Sequence, residues 1–132
     1  MHFWMSGRID KGISDAIFRP VLLEVTETVK AEISGVDFGN LISSYDMVVN
    51  IFEGETSEKF WYQSKTKETD IDVTIHHDQY LKGDFNERCV IFLTSILHSI
   101  DQLKKNKKLK GFDFDLFHQK VSSLILRYKP TF

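Results

Sequence analysis

Hydrophobic positions recur along this chain with two different periods, and the change of period marks the elements. Ile13, Ile17, Val21, Val25, Val29 and Ile33 recur every fourth residue, and Phe18 and Leu22 widen the stripe. That spacing predicts a helix with one buried face. Asp10 or Ser14 is placed to cap it, because a short oxygen-bearing side chain accepts from the free N–H groups of a first turn. Pro20 falls inside the stripe and predicts a kink or a late start, since proline lacks the donor and clashes with the turn before it. Gly35 ends the helix. Ahead of it, Phe3 to Ser6 reads as a short strand closed by Gly7.

Period two takes over after a loop that begins at Gly39 and ends at Ser44. Tyr45 to Phe52 predicts a strand with Met47, Val49 and Ile51 on one face. Lys59 to Lys65 predicts a second, aromatic at Phe60, Trp61 and Tyr62. Asp70 to His77 alternates most clearly, with Ile71, Val73 and Ile75 facing one way and Asp70, Asp72, Thr74 and His76 the other. Glu53 to Ser57 and Lys67 to Thr69 read as the turns between them. One wet face and short connections predict an antiparallel meander. Helical spacing returns after Gly83, where Asp84 and Glu87 have the separation of a capping box. Phe85, Cys89, Phe92, Leu93, Ile96, Ile100 and Leu103 form its apolar face, and a lysine run from Lys104 to Lys110 closes it. Phe112 to Tyr128 predicts a third helix. The expected fold is therefore α+β: an about four-stranded, mainly antiparallel sheet with three helices packed on one face, in the order β-α-β-β-β-α-α. Residues 1–132 are expected to form a single globular domain.

Composition narrows the class. With 42% hydrophobic and 27% charged residues, the chain has the profile of a soluble globular protein. The 17 basic side chains are outnumbered by 19 acidic ones, which argues against a general nucleic-acid binder. The charges are unevenly placed. Residues 46–87 carry ten acidic and four basic side chains, and residues 88–132 carry three acidic and nine basic. No apolar run approaches the roughly 20 residues of a membrane span, so no membrane association is expected. The opening Met1 to Arg8 lacks a basic start followed by a long apolar stretch, which predicts no signal peptide and a cytoplasmic protein. Cys89 is the lone cysteine and, set among Val90, Ile91, Phe92 and Leu93, reads as a buried, inert thiol.

The motifs that announce common enzyme chemistry are missing. The seven glycines form no phosphate-binding loop, and there is no nucleophile elbow and no zinc-protease helix. A single cysteine excludes zinc-ribbon spacing. These gaps predict no cofactor and no bound metal. The nearest acid–base cluster is His76-His77-Asp78. Neighbours on a strand point to opposite faces, so His76 and His77 cannot easily share one ion. His76 could instead join Asp72 or Thr74 on the wet face. Asp70-x-Asp72 and Asp113-x-Asp115 have a spacing that hard cations use on strands, but Asp113 and Asp115 are better explained as acids at a helix N-terminus. The lysine run reads as a solvated helix end, favourable there in its own right.

Two tryptophans suggest a binding face. By alternation Trp4 lies opposite Phe3 and Met5, and Trp61 opposite Phe60 and Tyr62. If the latter residues face the helices, both Trp side chains lie on the open sheet face with Asp70, Asp72, Thr74 and His76. Aromatic anchors inside a polar rim are the composition of a protein interface.

The opening Phe3-Trp4-Met5-Ser6-Gly7, followed by Ile9-Asp10 and Phe18-Arg19-Pro20, resembles the start of the immunity protein 44 family of bacterial polymorphic toxin systems. Ile75-His76-His77-Asp78 with Tyr80, and the closing helix from Asp113-Phe114, fall at comparable places. The likeness extends over nearly the whole chain and is most specific up to Pro20. It implies a non-enzymatic protein that binds and neutralises a cognate protein toxin, with no catalytic residues. The acidic stretch 46–87 would suit a basic toxin, such as a nuclease. Two other readings stand beside it. One is a small enzyme that uses His76 with Asp72 or Asp78. The other is an interaction domain that dimerises through its sheet face, which leaves monomer and homodimer both open.

Overall fold

A computed structural model describes residues 1–9, 12–39, 45–54, 60–64, 67–106 and 109–129, with 60–64 described by backbone alone. Eight elements follow in order: β1 (His2–Arg8), α1 (Asp15–Ile33), β2 (Asp46–Gly54), β3 (Phe60–Ser64), β4 (Glu68–His76), α2 (His77–Lys82), α3 (Phe85–Lys105) and α4 (Phe114–Ile125). Asp10, residues 40–44, the turn residues 55–57, Lys59, Lys65, Lys107 and Lys108 lie outside the described residues, as do the side chains of Phe60, Trp61 and Tyr62.

The sheet corrects the expected topology. Its spatial order is β1-β2-β4-β3. β1 pairs with β2 in parallel, β2 pairs with β4 in parallel, and the antiparallel pairing is that of β3 with β4. The sheet is therefore mixed and mainly parallel, and not a mainly antiparallel meander. The physical reason lies in the connections. β1 and β2 are joined through the 19-residue α1, and a helical crossover returns the chain to the starting end of the sheet, where the next strand must run parallel. β4 then inserts between β2 and β3, so β3 turns the chain back once at the edge. The wet face misled because parallel sheets are usually covered on both sides, and among the described residues the helices cover one side of this one. The helix count also changes. Among the described residues there are four helices, because α2 starts at His77, where the strand was expected to end, and the order is β-α-β-β-β-α-α-α.

Strand alternation puts Phe3, Met47, Val49, Ile51, Ile71, Val73 and Ile75 under the helices, each 3% exposed or less. Their helical partners are Phe18, Val21, Val25 and Val29 of α1, Cys89, Phe92, Leu93 and Ile96 of α3, and Phe117 and Val121 of α4. Two aromatic groups knit the layers. Phe18 meets Tyr80 and Phe92 with ring centroids 6.1 and 5.4 Å apart. Phe117 meets Phe3, Phe38 and Phe112 at 6.4, 5.5 and 5.8 Å. Such pairs contribute about 0.5–1.5 kcal/mol each beyond burial. Burial pushes the Cys89 thiol up to about 12, which keeps it protonated and a poor nucleophile.

α1 begins at Asp15 and runs through Pro20, so it does not start late. Pro20 has no N–H to give the turn before it. In that turn the Tyr80 hydroxyl donates to the carbonyl of Ile17 at 2.6 Å. Desolvation holds this hydroxyl above its ordinary pKa, so it stays a donor. The capping box of α3 is present: Glu87 N–H donates to Asp84 at 2.8 Å, and Asp84 N–H to Glu87 at 3.2 Å. Asp113 caps α4 through the Leu116 N–H. Asp115 instead accepts from Lys104 at 2.7 Å, tying α4 to α3.

Candidate interaction face

Register defines the open face row by row. His2, Asp46 and Glu68 lie across β1, β2 and β4, followed by Trp4, Val48 and Asp70, then Ser6, Asn50 and Asp72, then Arg8, Phe52 and Thr74. β3 adds Gln63 opposite Asp70 and Trp61 opposite Asp72. The face is acidic along its two central strands, at Asp46, Glu68, Asp70 and Asp72. Arg8 places a positive charge at the β1 edge, where His2 Nδ1 lies 3.1 Å from Asp46. Of the nine basic side chains of residues 88–132, Arg88, Lys104 and Lys105 lie in α3 and Lys120 in α4, and the other five fall between and after these helices.

A polar ladder crosses three strands of this face. The Ser6 hydroxyl donates to the Asn50 side-chain oxygen, and the Asn50 amide donates to Asp72 at 2.9 Å. Each group satisfies the next across the three strands. Trp4 is 48% exposed, and the Lys30 ammonium lies over its ring, 4.1 Å from the centroid. That contact fixes the indole at the sheet edge.

The acid–base cluster takes other roles. His76 caps α2, its Nδ1 accepting the Gln79 N–H at 3.4 Å. His77 contacts the Gly54 carbonyl at 3.2 Å and the Asp78 carboxylate at 3.1 Å. The two imidazoles stack, with centroids 6.1 Å apart. Asp78 therefore pairs with His77 and not with His76. Asp72 and His76 are four residues apart on β4, about 13 Å at the usual strand rise, and Asp72 is bonded to Asn50. The structure does not bring His76 together with either acid. Among the described residues, no group of three or more His, Cys, Asp or Glu side chains is placed to hold a metal ion.

Sequence reasoning missed Glu53, which it placed in a turn. It ends the buried face of β2, is 5% exposed, and accepts from the N–H groups of Gly12 and Ile13 at 3.2 and 3.1 Å. This matters because the N-cap Ser14 makes no side-chain capping bond. The carboxylate of β2 thereby fixes the connection from β1 into α1. The available signal was parity: Glu53 continues the Met47, Val49, Ile51 series. Glu53→Ala is expected to lower stability by about 2–3 kcal/mol, because two partly or fully buried donors lose a charged acceptor. Glu53→Gln should lose less, since one acceptor oxygen remains. Urea titration checks both, and equal stability of Glu53→Ala and wild type would refute the role.

Among the described residues this arrangement is an α+β unit with a mixed four-stranded sheet, helices on one side and a charged surface that carries Trp4 on the other. The profile of immunity protein 44 matches residues 1–127, and the chain belongs to that family. No curated protein and no solved structure matches it. Among the described residues, no helix is long and apolar enough to cross a membrane.

Proposed function

We propose that this chain is an immunity protein that binds a cognate protein toxin and blocks it by occupancy, without catalysis. Membership of the immunity protein 44 family over residues 1–127 carries the reading. The bare sheet face supports a location for the contact: Trp4 and Trp61 as anchors, with Asp70, Asp72, Thr74 and His76 around them. Its acidic central strands favour a basic toxin, such as a nuclease, because complementary fields speed capture. The fold suits such a task, since a packed sheet presents its surface with little ordering cost on binding. Capture in the cytoplasm by a single domain completes the reading.

The test is co-expression with the product of the neighbouring reading frame, followed by calorimetry on the purified pair. A stoichiometric complex of about nanomolar affinity, near 12 kcal/mol, with relief of toxicity, is the expected result. Trp4→Ala and Trp61→Ala should each weaken that complex by about 2 kcal/mol, the loss that defines a hot spot. A neighbour that neither binds nor harms the cell would overturn the proposal.

A further inference from the structure

β1 lies at one edge of the sheet, and the main chain on its outer side has chemistry of its own. In a parallel ladder every second residue of a strand turns both its N–H and its C=O to the neighbouring strand, and the residues between turn theirs away. The His2 N–H donates to the Tyr45 carbonyl at 2.8 Å. His2, Trp4, Ser6 and Arg8 therefore face β2, and Phe3, Met5 and Gly7 face outward. Phe3 is 1% exposed and so is covered. Gly7 is exposed and Met5 partly so, and the exposure of a glycine is that of its main chain. Among the described residues no group bonds to the outer side of Met5 or Gly7.

We propose that this stretch of β1 takes up an extended segment of the toxin as a fifth strand, an inference that rests on the toxin-binding reading above. The outward groups select the class of occupant. Two N–H donors and two C=O acceptors, repeated every second residue along one line, are answered by another extended main chain. Edge strands are usually blunted by a lysine, a proline or a bulge. Met5 to Gly7 contains neither residue, and its register against β2 is unbroken.

Two observations favour a toxin segment over a second copy of this chain. Trp4 and Ser6 of the same strand stand on the open face, in rows with Val48 and Asn50, so a strand added here continues the contact proposed above. A symmetric pairing of two copies over three residues a side spans only about 10 Å, far short of the roughly 1,200 Å² that a stable interface buries. A toxin gains the remainder from the open face.

Two measurements test this on the complex with the product of the neighbouring reading frame. Amide hydrogen exchange should show Met5 and Gly7 exchanging readily in the unbound chain and slowing about tenfold or more in the complex, as groups drawn into a ladder do. Trp4 and Ser6 should be protected in both states. Next, Met5→Pro removes one outward N–H and spares the ladder with β2, where proline is tolerated on an edge. Met5→Ala keeps that N–H, and should bind about tenfold or more tightly than Met5→Pro, the difference a lost anchor contact makes. Thermal unfolding verifies that both variants fold, and the exchange measurement decides if Met5→Pro does not. Unchanged exchange at Met5 and Gly7 in a formed complex, or equal affinity of the two variants, overturns the fifth strand and leaves the toxin reading standing. Protection of these amides that rises with concentration of the chain alone assigns the edge to a second copy and overturns the proposal too. Failure of the wild-type chain to bind removes the toxin reading, and the fifth strand with it.

Discussion

Gly7→Ala is expected to destabilise the protein by about 2–3 kcal/mol, against the general trend for that substitution. A glycine in a strand normally gains about 0.4–1 kcal/mol on becoming alanine, because the unfolded chain loses freedom. Here a methyl group on Gly7 would run into the edge of the Phe18 ring, with the Ile51 carbonyl 3.5 Å away on another side. Phe18 is 3% exposed and cannot retreat easily. It is packed between Tyr80 and Phe92, and Tyr80 is itself held by its bond to Ile17. Overpacking a filled core costs about 1–3 kcal/mol and occasionally more, so the steric effect outweighs the entropic gain. Urea unfolding of the variant measures it. A double variant that also carries Phe18→Leu should recover part of the loss, because the two sites share one contact. A Gly7→Ala protein as stable as wild type would show that the ring moves aside freely.

The same contact explains why the opening segment is so recognisable. Phe3 is buried against Phe117, Trp4 is exposed beneath Lys30, Ser6 starts the polar ladder and Gly7 admits Phe18. Each position has a separate physical demand, so the run Phe3 to Gly7 reads clearly as a unit. Other features were legible through local rules. The α1 stripe, the Asp84–Glu87 box, the Asp113 cap and the alternation of β4 all depend on residues a few positions apart. Strand direction was not legible in that way. Tyr45 to Phe52 and Asp70 to His77 show a wet and a dry face, and that pattern is the same for either direction. The informative clue was the long helix between Phe3 and Tyr45, which implies a parallel return. The insertion of β4 between β2 and β3 depends on contacts distant in sequence, which no periodicity encodes. α2 was hidden because its six residues are too few to establish a helical stripe, and because His76 and His77 prolong the alternation of β4. On the open face, parity placed Asp70, Asp72, Thr74 and His76 together. The Ser6–Asn50–Asp72 ladder needed the parallel register, which brings residues more than 20 positions apart into one row.

Reversal of the central acids gives the largest expected effect on function. Asp70→Lys with Asp72→Lys changes the charge at the middle of the open face by four units and should slow toxin association about tenfold to a hundredfold at low salt, the range over which steering acts. The dependence of the on-rate on ionic strength should flatten as well, since exposed charges act over about 10 Å at 0.1 M salt. The dissociation rate is expected to change less, because steering acts before contact. The two sites need separate controls. Asp72 accepts from Asn50, so its replacement also breaks the ladder and lowers stability. Asp72→Asn keeps an acceptor oxygen there while removing the charge. Asp70 has no such bond to Asn50, and Asp70→Lys alone isolates the field. Lys105→Glu at the end of α3 should leave the on-rate near wild type. Stopped-flow association at several salt concentrations reads all four variants. A wild-type on-rate and salt slope in the double reversal would place the toxin contact elsewhere on the molecule. Slowing by Asp70→Lys alone, at unchanged stability, would tie capture to the central strands of the sheet.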